Sequence, residues 1–337
     1  MRAVVLREVG PSDTLRIESV PDPSPGPGEV VVRLLASALN HRDLWIRKGQ
    51  YAGIKFPAIL GSDGCGVIEG VGEGVDPTIV GRRVVIDPGL GWGDDPKAQG
   101  PKFRVLGMPD DGTYAEKIRV PASSVHNAPA HLSDHEAAAL PLAALTAYRA
   151  LVTRARLQAG EALLITGIGG GVSAFGLQIA KAIGARVIVT SRDDAKLAVA
   201  QGLGADAGVN VSDPDWAKAV VKLTGGEGPD VVLDSVGGAT FAKALAAVRR
   251  GGRIVTYGAT TGPVESFELT RLFWKQVDIL GSTMGTAQEF AAMLELVSHR
   301  TIRPPVAKVF PLAEASAAHD YLEAGGQFGK VVLDPRA

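Results

Sequence analysis

The chain carries a single cysteine, Cys65, in 337 residues. One thiol forms no internal disulfide and cannot supply a zinc site built from several cysteine thiolates. Charge of one sign is missing as well. The 35 basic and 36 acidic residues leave a formal net charge of -1, without the positive excess that a nucleic-acid backbone or an anionic membrane surface selects. No apolar run approaches a membrane span, and Met1-Arg2-Ala3-Val4-Val5-Leu6-Arg7-Glu8 turns charged before the apolar core of a secretion signal could form. Internal repeats, low-complexity tracts and long charge runs are also absent. These absences predict a soluble, cytoplasmic protein whose partner is a small molecule rather than nucleic acid or membrane.

What is present is apolar residue, 46% of the chain, in a length that exceeds what one hydrophobic core usually organises, so two domains are expected. Residues 1 to about 126 hold short β-branched runs, such as Glu29-Val30-Val31-Val32-Arg33 and Arg82-Arg83-Val84-Val85-Ile86, between many Gly and Pro turns. Ser133 and Glu136 then fit a capping box ahead of an Ala-rich helix that Pro141 interrupts. From Ala162 apolar strands alternate with amphipathic helices. Strands are expected at 162–166, 186–190, 207–210, 230–234, 253–257 and 277–281, an α/β pattern of six strands in a doubly wound parallel sheet. The boundaries expected are 1–126 with 286–337 for the β-rich domain and 127–285 for the doubly wound one.

The turn Gly167-Ile168-Gly169-Gly170-Gly171-Val172-Ser173 lies between the first of these strands and its helix. Glycines are common in turns, but in this context they let the chain bend tightly and let backbone amides approach a pyrophosphate at the helix N-terminus. Ser173, a small residue, takes the third glycine position of the spacing. The second strand ends Thr190-Ser191-Arg192, where a carboxylate would hold a ribose 2′-hydroxyl; a hydroxyl and a guanidinium, with Lys196 one turn on, suit a 2′-phosphate and point to NADPH (NADP). Two other readings stay open here: Arg192 as a solvated charge, and Asp193 or Asp194 reaching the ribose. The ends of later strands should also line the cofactor site, nominating Ser235, Val236, Gly237, Gly258, Ala259, Thr260, Ser282, Thr283 and Met284.

Together these residues resemble the medium-chain dehydrogenase/reductase superfamily over essentially the whole chain. The Gly-rich first half looks like that family's GroES-like catalytic domain, and the second like its Rossmann cofactor domain. Gly61-Ser62-Asp63-Gly64-Cys65-Gly66-Val67 matches the segment where zinc-dependent alcohol dehydrogenases have Gly-His-Glu. The resemblance implies an active site in a cleft between the domains. It also implies that the Cys, His and Cys ligands of a catalytic zinc correspond to Asn40, Ser62 and a residue near Leu142, so no metal is expected. Trp92 to Gly112, where some relatives bind a structural zinc, has no cysteine.

Asn40-His41-Arg42-Asp43-Leu44-Trp45-Ile46-Arg47-Lys48-Gly49-Gln50-Tyr51 resembles instead the zinc-free branch of quinone oxidoreductases and alkenal or enoyl reductases. That resemblance implies catalytic roles for Asn40, Tyr51 and Ser62, with Asn40 near the nicotinamide or substrate carbonyl and Tyr51 near the reacting carbon. Asp43 and Arg47 are read as a structural ion pair. His131 and His135 stand four apart, but Ser133 as helix N-cap would leave His131 outside the helix, against a shared metal. Cys65, between glycines, is read as a buried small residue.

The expected activity is metal-free, NADPH-dependent hydride transfer to a quinone or an α,β-unsaturated carbonyl, with Tyr51 or water as proton donor. The alternatives are a zinc-type alcohol dehydrogenase and a non-catalytic NADPH-binding protein. The sixth strand, at a sheet edge, is expected to pair two chains as a homodimer.

Overall fold

The computed structural model describes residues 1–337. The chain divides into two compact units, Met1–Leu145 with Gly285–Ala337, and Thr146–Met284. The change of texture near residue 126 therefore marks a passage from strand to helix inside the first unit. Helix Asp134–Ala138 packs on strands Glu29–Ala38 and Asp63–Val71, and Asp134 pairs with Arg83 at 2.9 Å and Arg336 at 3.0 Å. The capping box forms: Ser133 N–H donates to Glu136 Oε2 at 2.8 Å and Glu136 N–H to Ser133 Oγ at 3.3 Å. Pro141 opens a second helix, Pro141–Tyr148, because its missing N–H is harmless in a first turn.

In the first unit a seven-stranded sheet runs Val125–Asn127, Arg83–Ile86, Asp63–Val71, Glu29–Ala38, Lys330–Asp334, Val306–Pro311, with Lys117–Pro121 also paired to Glu29–Ala38. Alternate residues of the long central strand, Val30, Val32 and Leu34, enter one core with Ile68, Val84, Ile86, Ile118 and Val120, as the two-residue period of a strand requires. A smaller sheet places Arg2–Leu6 between Leu15–Ser19 and Ala58–Ile59. The C-terminal strand Lys330–Asp334 pairs antiparallel with the end of the central strand, Val332 opposite Ala38.

The second unit is a wholly parallel six-stranded sheet in the order Ala207–Asn210, Arg186–Ser191, Ala162–Ile165, Val231–Asp234, Arg253–Thr256, Asp278–Gly281. Its inner strands are apolar without alternation, and Leu163 to Ile165, Val187 to Val189 and Val231 to Leu233 have no exposed surface, as for strands covered on both faces. Successive strands add first to one side of Ala162–Ile165 and then to the other, so the order reverses between it and Val231–Asp234. Ligands of such sheets bind outside the carboxyl ends at that reversal. Helix Gly171–Ile183 covers one face and closes on Gly184 at φ 96°. It lies close against the sheet at Gly176, where a Cβ would stand 2.7 Å from Leu233 Cδ2. Ser173, in the third glycine position, is buried, and its Oγ–H donates to Gly170 O at 3.0 Å.

One buried side chain makes the first unit sensitive to acid. His319, in helix Ala315–Ala324, has no exposed surface, neither ring nitrogen has a partner, and Tyr114 meets it edge-on at 5.9 Å. Burial, with Arg47 nearby, pushes its pKa from 6.5 down to about 3. Below pH 6.5 the unfolded chain therefore binds a proton that the folded chain refuses, so stability falls as pH drops through the window from 6.5 to about 3. The expected slope from this group is up to about 1.4 kcal/mol per pH unit. Denaturant unfolding at several pH values should show that slope in the native protein and a flatter one in His319→Leu; equal slopes would remove His319 from the account.

Candidate active site

Strand Glu29–Ala38 leads into Asn40, at the N-cap position of helix His41–Arg47. The entry is fixed by Asp43, whose Oδ2 accepts Asn40 N–H at 2.8 Å and Tyr114 O–H at 2.9 Å. Asp43 has no exposed surface, and its burial raises its carboxyl pKa. The expected Asp43–Arg47 ion pair does not form. Arg47 reaches Gly10 O at 2.9 Å and Glu323 Oε2 at 2.5 Å, while the buried Tyr114 hydroxyl takes the Asp43 carboxylate.

Opposite Ala38 in the sheet stands Asp63. Gly61, at φ 94°, lets the chain reach it, since a Cβ there would lie 2.4 Å from the Tyr114 ring. Asp63 is fully buried. Its Oδ1 accepts Leu142 N–H at 2.8 Å, and its Oδ2 accepts Asn40 Nδ2–H at 2.9 Å and Lys330 Nζ at 2.8 Å. Lys330 Nζ also donates to Asn40 Oδ1 at 2.6 Å. A lysine only donates and a carboxylate only accepts, so the Asn40 amide has one permitted orientation, with one N–H left uncommitted.

Ser62 lies beside this cluster with no exposed surface. Its hydroxyl donates to Leu106 O at 2.8 Å and accepts from Arg42 Nη1 at 2.7 Å, so its single hydrogen is already engaged. Arg42 Nη1 also donates to Leu106 O at 2.7 Å and Nη2 to Met108 O at 3.3 Å. The guanidinium carbon stands 5.2 Å from the centroid of the Tyr51 ring, a cation–π arrangement, and Tyr51 is 38% exposed. Asn40, Ser62 and Tyr51 are thus brought together through Asp63 and Arg42. Arg42, Asp63 and Lys330 went unselected in the sequence. The signal for two of them was a charge set in an apolar or glycine-rich strand, as in Gly61-Ser62-Asp63-Gly64 and Gly329-Lys330-Val331-Val332.

This donor set does not fit a zinc ion. Asn40 offers an amide bound on both sides, Ser62 an engaged hydroxyl, and Leu142 a side chain without a donor atom, whereas zinc takes thiolate, imidazole or carboxylate. The one carboxylate present is already neutralised by an ammonium 2.8 Å away, and no group of three or more His, Cys, Asp or Glu is placed to hold a metal. His131 Nε2 contacts Ile302 O at 3.0 Å and His135 Nε2 contacts Asp334 Oδ2 at 2.9 Å, so each has a separate partner. Cys65 is buried in its strand, and burial pushes its thiol up to about 12, which keeps it protonated.

In the second unit the glycine turn has the features an anion site needs. Gly167 sits at φ 66°, where a Cβ would meet Val236 Cγ2 at 2.7 Å, and Gly169 at φ 129°. Gly167 N–H donates to Thr190 Oγ1 at 3.2 Å and Ile168 N–H to Thr190 O at 2.8 Å. Gly170 caps helix Gly171–Ile183 with no side-chain acceptor and no acid in the first turn. The first amides, those of Gly171, Val172 and Ser173, therefore lack a side-chain cap at the positive end of a long helix, which suits a pyrophosphate.

Below the turn Asp234 Oδ1 accepts the Thr166 hydroxyl at 2.5 Å. The loops after the fourth and fifth strands are tied together: Thr260 N–H donates to Ser235 O at 3.0 Å and Thr261 N–H to Val236 O at 2.9 Å. Ser235, Val236, Gly258 and Ala259 thereby share one end of the sheet, and Met284 closes the unit at φ 46°, largely buried. At the second strand's end Arg192 is exposed, and it acts with burial to lower the Lys196 pKa. Asp193 caps its helix at Ala195 N–H, 2.9 Å, and Asp194 accepts from Asn210 Nδ2 at 2.7 Å. Ser191 Oγ accepts Asp193 N–H at 3.0 Å, leaving its hydrogen to donate.

A β-rich unit joined to a doubly wound parallel sheet with a phosphate-type glycine turn defines a two-domain dehydrogenase or reductase. Residues 26–130 match the family described as alcohol dehydrogenase GroES-like domain, and residues 171–299 match that described as zinc-binding dehydrogenase. The chain is 38% identical to the zinc-type alcohol dehydrogenase-like protein YogA of Leptosphaeria maculans, covering 95% of this chain and 94% of that one. It is 33% identical to an acryloyl-coenzyme A reductase of Metallosphaera sedula, covering 99% of both.

Among solved structures, an NAD-dependent alcohol dehydrogenase superposes with a TM-score of 0.95 at 42% identity over 99% of each chain. A mycobacterial quinone oxidoreductase does so at 0.83 and 31%, covering 99% of this chain and 100% of its own; a mycobacterial structure complexed with NADPH, at the same identity and coverage, reaches 0.85. The chain belongs to the medium-chain dehydrogenase/reductase superfamily, with a GroES-like first unit and a Rossmann second unit. It is an oxidoreductase of that superfamily, with a nucleotide-binding type of second unit.

The Asp63–Lys330 contact is a buried ion pair, so breaking it from one side strands a charge. Lys330→Met should cost about 3–5 kcal/mol of stability, and adding Asp63→Asn should recover part of that loss. Denaturant melts of the single and double variants measure both; a single variant as stable as the parent would show that the pair does not hold the site.

Proposed function

We propose that the protein transfers a hydride from NADPH to a quinone or to the β-carbon of an α,β-unsaturated carbonyl compound without a metal ion. The observation that carries this reading is the Lys330 ammonium lodged on Asp63 and Asn40, at 2.8 and 2.6 Å. That arrangement supplies hydrogen-bond donors where zinc-type relatives place metal ligands. Oxidising an alcohol calls for a group that takes up the hydroxyl proton, and Asp63, with both oxygens hydrogen-bonded, and Ser62, with its hydroxyl engaged, are poorly placed to do so. An amide N–H, a guanidinium and a phenol instead suit negative charge that gathers on a carbonyl oxygen during reduction. A quinone is itself a conjugated dicarbonyl, which unites the two substrate classes. The likeness to an acryloyl-coenzyme A reductase and to a quinone oxidoreductase supports the same class.

When bound, NADPH supplies the hydride and leaves as NADP. The amides at Gly171, Val172 and Ser173 would take its pyrophosphate, with Gly167, Gly169 and Gly170 keeping side chains out of the way. Ser191, Arg192 and Lys196 would take the 2′-phosphate, a reading favoured because Asp193 and Asp194 have other partners. Ser235, Val236, Gly258, Ala259 and Met284 would line the rest of the site. Asn40 would offer its uncommitted N–H to the substrate oxygen, held in orientation by Lys330 and Asp63. Tyr51, exposed and stacked by Arg42, would return the proton, while Ser62 acts as a fixed link between Arg42 and Leu106. A cytoplasmic setting suits an enzyme that draws on NADPH, and no helix is long and apolar enough to cross a membrane.

A panel of quinones, enones, enals and enoyl thioesters, run with NADPH and NADH side by side, tests this function. Turnover of at least one class with NADPH preferred is expected, and Arg192→Ala should weaken the preference by about tenfold or more, the worth of a charge-assisted hydrogen bond. Tyr51→Phe should slow every accepted substrate. NADPH binding without oxidation by any acceptor would favour the non-catalytic alternative, and equal use of NADH would overturn the cofactor assignment.

Two chains are proposed to pair through the last strand of the parallel sheet. Asp278–Gly281 is an edge strand, Ile279 is 36% exposed, and Leu269, Phe273 and Trp274 of the neighbouring helix are each more than 60% exposed. Sedimentation at dimer mass, shifted toward monomer by Phe273→Lys with Trp274→Lys, is expected; monomer mass for the parent chain at micromolar concentration would refute the pairing.

A further inference from the structure

Arg42 makes no hydrogen bond to a carboxylate. Its three hydrogen-bonding partners, Ser62 Oγ, Leu106 O and Met108 O, are all neutral. Its Nε is buried without an acceptor, and one Nη2 hydrogen is also left over from the fork of five donors. Asp43, the next residue, turns its Oδ2 to Tyr114 and to the backbone of Asn40; burial raises its carboxyl pKa, and the Arg42 charge offsets only part of that rise. A half-buried cation is costly without a counter-charge. The rigid hold on Nη1 and Nη2 keeps the guanidinium from turning out to water. Its position is defined by the same residues proposed for catalysis: Ser62 at 2.7 Å and the Tyr51 ring at 5.2 Å.

We infer that Arg42 is an oxyanion-binding catalytic residue, whose fixed guanidinium stabilises the negative charge of a substrate enolate or hydroquinone oxygen. This rests on the proposed reduction of a conjugated carbonyl by NADPH. As hydride bonds to the β-carbon, the π electrons of the C=C bond move into conjugation and the charge collects on the carbonyl oxygen. Protonation at the α-carbon, from Tyr51 or water, restores the carbonyl, and the nicotinamide is the species oxidised. Arg42 forms no covalent bond. It supplies preorganised donors to the oxygen at the moment the charge appears, with no reorientation of water required. The guanidinium is held in a fixed plane by its bonds to Ser62, Leu106 and Met108 with one Nη2 hydrogen to spare, a geometry an ammonium does not reproduce, so lysine is not an equivalent replacement.

A stable oxyanion tests this apart from turnover. 4-Nitrophenol titrated into the NADP-loaded protein should bind as its phenolate, seen as growth of the phenolate absorption band at fixed pH. Arg42→Gln should lose at least about tenfold in that affinity and about a hundredfold in kcat, the loss typical of one oxyanion donor, while NADPH affinity and thermal midpoint stay close to the parent. Arg42→Lys should fall between, and methylguanidinium should restore activity to Arg42→Ala. The inference is overturned if Arg42→Gln, folded and binding NADPH, holds nitrophenolate as the parent does. It is equally overturned if the parent reduces an enone or quinone and Arg42→Gln does so at the same rate. A parent that reduces none of the acceptors refutes the proposed function instead, and the phenolate titration still reads the site.

Discussion

A carboxylate with no exposed surface stands where four stretches of the first unit meet. Asp63 begins a strand, Asn40 ends the connection into the first helix, Leu142 lies in the helix that opens at Pro141, and Lys330 starts the final strand. Each of the three partners meets Asp63 within 3 Å. A buried ionised group is tolerated only when its lone pairs are filled and its charge is answered, and here the chain answers it from positions 267 residues apart. The rest of the candidate site inherits its geometry from this arrangement. Lys330 and Asp63 orient the Asn40 amide, and the strand that carries Asp63 also carries Ser62, which anchors Arg42.

The second unit, in the proposed function, faces a different problem, the reception of a large anion, and meets it with almost no charge. Backbone amides at the start of a long helix and a turn without side chains at Gly167 and Gly169 would do the work, and cationic side chains enter only near Ser191. Asp234, buried beneath, keeps the turn in place through Thr166. Burial raises its carboxyl pKa, while hydrogen bonds from Thr166 and from the backbone at Val236 and Gly237 hold it down. The proposed function therefore separates two tasks: backbone geometry for the nucleotide, and side-chain hydrogen bonds for the reacting carbonyl.

The parallel sheet was almost fully legible in the sequence, because fully buried strands appear as uninterrupted apolar runs and their glycine turn sits at a fixed place. The strand expected at 207–210 is observed as Ala207–Asn210, and that expected at 186–190 as Arg186–Ser191. The capping box at Ser133 was legible for the same reason, being a local pattern. Long-range pairing was not. Nothing near Lys330 marks it as the partner of Asp63, and the Asp43–Arg47 spacing suggested a pair that Tyr114 and Glu323, from distant segments, pre-empt. The texture change near residue 126 reported secondary structure and not a division between compact units, since residues 127–145 pack on strands laid down far earlier. Ser173 was legible as a small residue, and it is buried; the close approach at Gly176, where the facing side chain is Leu233, was not read from the sequence.

The claim on which the account most depends is that Lys330, Asn40 and Arg42 supply what a metal supplies in related enzymes. Elemental analysis of the purified protein, paired with NADPH-dependent reduction of an enone or quinone before and after chelation, tests it most directly. The account predicts zinc far below stoichiometric and a rate that chelator leaves unchanged. Near-stoichiometric zinc, removed together with the activity, would contradict it.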